Sequence, residues 1–167
     1  VEDHRLVREM WGQLFAGRED IEVVGKIGEF EEAVNMIKSK RPDIVLLDIN
    51  LPNASGMDAV PLIRKFSPGT KIIAVSMHSQ PAYAKKMLQL GARGYVTKNS
   101  SHDEMYEAID SVLAGKTFVC QEIKNILSEQ TLMEDGEEKP NIKELSMREI
   151  EIIRLIKEGH SSKEIGT

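Results

Sequence analysis

Five polar side chains stand at the ends of short apolar runs, and their types are those that handle a phosphoryl group. Glu2 and Asp3 follow Val1, Asp48 closes Asp43-Ile44-Val45-Leu46-Leu47, Ser76 closes Lys71-Ile72-Ile73-Ala74-Val75, and Lys98 follows Gly94-Tyr95-Val96-Thr97. Three carboxylates brought to one edge repel one another unless a cation neutralises them. Hard oxygen donors suit Mg²⁺, which binds through a few carboxylates plus phosphate and keeps several waters. A lysine and a hydroxyl aimed at the same place answer the remaining phosphoryl oxygens. The set therefore reads as an aspartate, Asp48, able to become an acyl phosphate, with metal and ammonium offsetting the charge that develops.

Such convergence needs a scaffold, and the hydropathy pattern supplies one. Runs at 21–25, 43–48, 71–76 and 94–97 are short and rich in β-branched residues or Leu, as expected of buried parallel strands. Amphipathic stretches lie between them. Leu6, Val7, Met10, Trp11 and Leu14 share one helical face, as do Met105, Ala108, Ile109, Val112 and Leu113. Ser101-His102-Asp103-Glu104 has the form of a capping box, Gly91 that of a helix stop, and Pro81 that of a first helical turn with Ser79 as its cap. Helices alternating with strands imply right-handed crossovers and a parallel sheet covered on both faces. Ligands of such a sheet bind outside the carboxyl ends of its strands, where these polar residues lie. Val1-Glu2-Asp3 reads as the end of a first strand whose remainder is expected upstream of Val1.

After Phe118 the pattern is helical only. A helix is expected over 122–132, then an acidic tether, 133–140, containing Gly136 and Pro140. Ser146-Met147-Arg148-Glu149 forms a second capping box before Ile150, Ile153 and Ile156, with Gly159 as the stop, and Ser161-Ser162-Lys163-Glu164 opens one more helix. The boundaries that follow are 1–119 for the α/β domain, 120–141 for a helical and acidic linker, and 142–167 for the start of an all-α domain.

Composition sets limits. The chain of 167 residues carries 22 basic and 27 acidic side chains, a formal charge of −5, with 41% hydrophobic residues. That is a globular composition, so wholesale disorder is excluded. No apolar run approaches the roughly 20 residues that span a bilayer, so no membrane partner is expected. The lone Cys120 excludes an internal disulfide and suits a reducing cytoplasm. Net acidity does not advertise nucleic-acid binding, and basic and acidic side chains balance over 142–167.

Five motifs in order carry a family resemblance: Val1-Glu2-Asp3-His4, Asp43 to Pro52, Ala74-Val75-Ser76, Gly91 to Lys98, and Leu145-Ser146-Met147-Arg148-Glu149. The chain resembles a two-component response regulator of the NarL/FixJ arrangement, a receiver domain followed by the beginning of a LuxR-type helix-turn-helix. The resemblance implies a flavodoxin-like, doubly wound, five-stranded parallel sheet, its first strand mostly missing from this chain. It makes Asp48 the phosphoacceptor, with Glu2 and Asp3 the acidic pair around Mg²⁺. Asn50 would offer its backbone carbonyl as a further metal ligand. Ser76 and Tyr95 become a switch pair, and Lys98 the partner of the phosphoryl oxygens. It implies a sensor histidine kinase as donor, a cytoplasmic setting, pairing of two receivers on phosphorylation, and DNA as the target of the intact protein. In helix-turn-helix proteins the second helix reads the major groove; here that helix has barely begun at Thr167, so the chain as given is expected to bind DNA poorly. Departures are small: Glu2 where Asp is commoner, Ala54 where Met is usual, and Asn99 after the lysine. His4 reads as a helix-start residue and His78 as solvent-facing, although the family also suggests that His78 and Asn50 modulate access of water.

Two other classes compete. An aspartate-nucleophile phosphatase of the haloacid-dehalogenase kind places a second Asp two residues after the nucleophile as general acid and base; this chain has Asn50 there, so stored phosphate and not turnover is expected, and no enzyme. A pseudo-receiver would work through helix faces without phosphate, but it would leave the set of Asp3, Asp48, Ser76 and Lys98 unexplained.

Overall fold

Residues 1–52 and 54–134 are described in the computed structural model of the chain. The acidic tether beyond residue 134 and the helices expected over 146–164 lie outside the described residues. Elements run in the order α1 (Arg5–Ala16), α2 (Phe30–Lys40), β1 (Ile44–Asp48), β2 (Asn50–Leu51), β3 (Ala54–Ser55), α3 (Gly56–Phe66), β4 (Lys71–Ser76), α4 (Pro81–Leu90), β5 (Gly94–Thr97), α5 (His102–Leu113), β6 (Phe118–Val119) and α6 (Gln121–Glu134). Among the described residues the main sheet has four strands in the order β1-β4-β5-β6, all parallel. The fold is the expected flavodoxin-like α/β arrangement. α2 packs on α3 and α3 on α4. α1 meets α5 through the Tyr106 hydroxyl, which donates to the Leu14 carbonyl at 2.8 Å, and an edge contact of Phe15 with Tyr106.

The stretch 21–25 does not become a strand, contrary to its composition. Residues 22–26 are exposed, and Ile21 and Val23 line a cavity of about 390 Å³ together with Trp11, Ile37, Val45 and Leu46. Among the described residues the stretch joins no sheet; nearby, the Glu2 N–H donates to the Ile27 carbonyl at 2.9 Å. On its other side Val1 accepts from the Asp48 N–H at 3.0 Å and donates to the Leu46 carbonyl at 2.5 Å. Val1 and Glu2 thus bond to segments on both sides, but residues 1–3 form no strand among the described elements. Conversely, β6 was not legible: two residues are too few for a period, and pairing with β5 alone defines them.

Helix faces are narrower than the apolar spacing suggests. In α1, Trp11 and Phe15 are buried while Leu6 is 84% and Met10 45% exposed. In α5, Met105, Ala108, Ile109 and Val112 are buried and Leu113 is exposed. A stripe five positions wide subtends more of the helix than one contact surface covers. Gly91 does end α4, at φ +113°, its N–H and that of Ala92 closing on Met87. The α4 cap is Gln80 and not Ser79, and it makes no side-chain cap bond. The box at Ser101 forms by half: the Ser101 hydroxyl accepts from the Glu104 N–H at 3.2 Å, but the Glu104 carboxylate accepts instead from the Gln121 N–H at 2.6 Å. Glu104 thereby caps α6, whose first turn has free N–H donors.

Candidate functional site

The parallel register aligns the strand ends. Asp48 pairs with Val75 and Ser76 with Thr97, so the carboxyl ends of β1, β4 and β5 meet at one edge. The turn 2–4 leading into α1 joins them, held by the Arg8 guanidinium, which donates to the Glu2 carbonyl at 2.5 Å and the Asp3 carbonyl at 3.0 Å. Arg8 was not singled out from sequence, because nothing in its spacing announces a bond back to the preceding turn.

Lys98 lies at the centre of the cluster. Its Nζ donates to Asp48 Oδ2 at 2.7 Å and to Glu2 Oε1 at 2.9 Å, and lies 2.8 Å from Glu2 Oε2. Asp48 and Glu2 are each 1% exposed. Burial works against the Lys98 ammonium, but its hydrogen bonds to Asp48 and Glu2 and their charges together raise its pKa above the usual lysine range. The other Asp48 oxygen accepts from the Asn50 N–H at 3.0 Å, which brings the peptide of residue 50 against the carboxylate. Ligand atoms of Glu2, Asp3, His4 and Asp48 all lie within 4.8 Å of one another. Glu2 Oε2 and Asp3 Oδ1 are buried without a hydrogen bond of acceptable geometry, although Lys98 and His4 stand at ion-pair distance from them. Buried acceptors left short of donors, among hard oxygens, fit a divalent cation of the Mg²⁺ type.

Ser76 and Tyr95 are both fully buried and meet at one residue: the Ser76 hydroxyl accepts from the His78 N–H at 3.0 Å, and the Tyr95 hydroxyl donates to the His78 carbonyl at 2.8 Å, on the next peptide. The Tyr95 ring is therefore turned inward here. His78 is half-buried and not simply solvent-facing. Its ring stacks on Tyr83 at 4.2 Å, and its Nε2 is 3.2 Å from the Asn50 amide nitrogen. Sequence spacing could not bring Tyr83 to that ring. Glu122 was also missed; its carboxylate accepts from the Thr97 hydroxyl at 2.7 Å, one residue before Lys98.

Burial pushes the Tyr95 phenol up from 10.0 to about 12, with a hydrogen bond to Ser76 acting the other way. The folded state thus holds this proton more tightly than the unfolded state. The associated stability is full below pH ~10 and is lost as pH rises toward about 12, by roughly 2–3 kcal/mol. Thermal melts between those pH values should show a steeper fall for the parent than for Tyr95→Phe. At neutral pH that variant should lose only about 1 kcal/mol, the net value of the bond to His78.

Known proteins bear on this geometry. The profile of the response regulator receiver domain matches residues 1–110. The chain is 30% identical to the response regulator GacA of Pseudomonas aeruginosa, over 99% of this chain and 77% of that protein. It is 32% identical to the transcriptional regulatory protein DesR of Bacillus subtilis, over 99% and 76%. A LuxR-family two-component response regulator from Aurantimonas superposes with a TM-score of 0.73 at 34% identity, covering 78% of this chain and 94% of that one. These relatives are named as response regulators or transcriptional regulators. Among the described residues no helix is long and apolar enough to cross a membrane. The chain belongs to the two-component response regulator family, in its NarL/FixJ, LuxR-type branch.

Proposed function

We propose that Asp48 is the phosphoacceptor of this response regulator and takes its phosphoryl group from a phosphohistidine on a sensor histidine kinase. The observation that carries this reading is the buried Asp48 carboxylate held between the Lys98 ammonium and the Asn50 N–H, with Glu2 and Asp3 beside it. An Asp48 carboxylate oxygen forms the new bond to phosphorus as the P–N bond breaks, and the electron pair leaves with the imidazole. Asp3, Glu2, Asp48 and the backbone carbonyl of Asn50 would hold Mg²⁺, which supplies charge neutralisation at the phosphoryl oxygens. Lys98 keeps its proton and moves its hydrogen bonds from carboxylate to phosphoryl oxygen.

The switch follows as a local charge change with a wider readout. Ser76 would release the His78 N–H and turn its hydroxyl to the phosphoryl group, and Tyr95, bonded to the carbonyl of the same residue, would keep its ring inward. Swinging occupancy from 1:99 to 99:1 takes roughly 5.5 kcal/mol, which a few charge-assisted hydrogen bonds at ~1.5–3 kcal/mol each supply. The output would be the helix-turn-helix read from residues 142–167, which would bind DNA in the intact protein, tethered by residues 120–141. Two receivers would pair on phosphorylation so that two output domains meet adjacent half-sites. The setting is the cytoplasm, where kinase and DNA are both reached.

The test is labelling with a small phosphodonor. A hydroxylamine-sensitive, Mg²⁺-dependent label is expected on the parent and none on Asp48→Asn. Label retained by that variant removes Asp48 from the role. Absence of any beryllofluoride–Mg²⁺ binding by the parent would favour action through helix faces without phosphate.

A further inference from the structure

His4 carries a side chain that the roles above do not use. It is the N-cap residue of α1, yet its side chain makes no cap hydrogen bond. Its imidazole turns back instead over the acidic turn. Nδ1 stands 3.0 Å from Glu2 Oε1 and 2.9 Å from Asp3 Oδ1, oxygens of two different carboxylates. The backbone N–H of His4 also donates to Glu2 Oε1, at 3.1 Å, so the ring is tied to the carboxylate it faces. Glu2 is 1% exposed and keeps a buried oxygen, Oε2, without a well-aligned donor, as does Asp3 with Oδ1. Around an ion with ligands at roughly 2.1 Å, neighbouring ligand atoms stand about 3 Å apart, which is the spacing of His4 Nδ1 from both oxygens.

We propose that His4 Nδ1 is a direct ligand of the divalent cation held by Glu2, Asp3 and Asp48, and that it turns an all-oxygen site into a mixed one favouring transition ions. This rests on the reading of that cluster as a cation site. Carboxylate and water ligands suit Mg²⁺, whereas an imidazole nitrogen adds affinity for borderline ions such as Co²⁺ or Ni²⁺ and little for Mg²⁺. The rival account is an imidazolium paired with two carboxylates, a contact that needs no metal. His4 is mostly exposed, so replacing it removes the ligand without opening the core.

The two accounts differ in selectivity. Co²⁺ and Mg²⁺ are titrated separately into the parent, His4→Ala and His4→Gln by calorimetry at about pH 8, where an ordinary imidazole is neutral. Co²⁺ binding is also followed by its visible absorption. Loss of the nitrogen ligand should weaken Co²⁺ by about tenfold or more in both variants and change its spectrum, with Mg²⁺ affinity within about twofold of the parent. Equal weakening of both ions, or no change in either, overturns the proposal, because His4 would then act through its charge or not at all. A parent that binds neither ion removes the cation site as well. Mg²⁺ binding without a His4-dependent preference for Co²⁺ removes only the role of His4, and labelling of Asp48 stands apart from both results.

Discussion

Lys98→Ala is expected to destabilise the chain by about 3 kcal/mol near neutral pH and to abolish the Mg²⁺-dependent response to beryllofluoride. The cost arises from what remains. Glu2 and Asp48, each 1% exposed, would face one another without the ammonium that touches both. Removing one partner of a buried ion pair costs about 3–5 kcal/mol, and the lower figure applies because the site lies at a sheet edge that a cation from solvent can enter. Added Mg²⁺ should accordingly recover more stability in Lys98→Ala than it adds to the parent. Lys98→Met separates charge from packing: it refills the space of the stem and should remain as unstable as the alanine variant if the charge decides. Urea unfolding with and without Mg²⁺ reads all of these. A loss under 1 kcal/mol for both variants would mean that the three groups do not act as one electrostatic unit.

The second large effect is expected at Gly56→Ala. Gly56 opens α3 directly beneath the end of β1, and its N–H donates to the Ile49 carbonyl at 2.8 Å. A Cβ there would stand 2.3 Å from the Asp48 carbonyl oxygen and 2.9 Å from Ile49 Cα. Both obstacles are backbone, so neither can rotate away. The start of α3 or the tip of β1 must move, at a cost of about 2–3 kcal/mol, well above the ~1 kcal/mol that Ala gains over Gly in a helix. Movement of the strand tip also carries Asp48 off Lys98, and a displacement near 1 Å can cost about 10²-fold in rate. Phosphodonor labelling should therefore slow by one to two orders of magnitude, in parallel with a lowered melting temperature. Normal labelling in a destabilised variant would show that the Gly56 contact supports the fold alone.

The legible and illegible parts differ in kind. Runs 43–48, 71–76 and 94–97 were readable because a parallel strand buried on both faces is apolar along its whole length. The run 21–25 is similarly rich in β-branched residues but joins no sheet, since a strand exists by pairing with a neighbour and the bond from Glu2 reaches Ile27, beyond the run. Caps were readable where a local bond makes them, at Ser101 and Gly91. They were misread where a distant element competes, as when the Gln121 N–H takes the carboxylate of Glu104. Leu6 and Met10 fit the helical period and still face solvent, because the period states which side chains align and not how wide the covering surface is.

The sequence by itself determined which groups this protein can use: three acids, a hydroxyl and a lysine at the ends of apolar runs, which a parallel sheet must gather at one edge because all its strands point the same way. Only the tertiary structure decided how they meet. Lys98 bonds to Asp48 across 50 positions and to Glu2 across 96, His4 bends back over its own turn, and Tyr95 and Ser76 bond to the carbonyl and the N–H of His78. Strand direction follows from a local pattern, but the aim of a side chain follows from whatever remote segment packs beside it, and no local spacing carries that information.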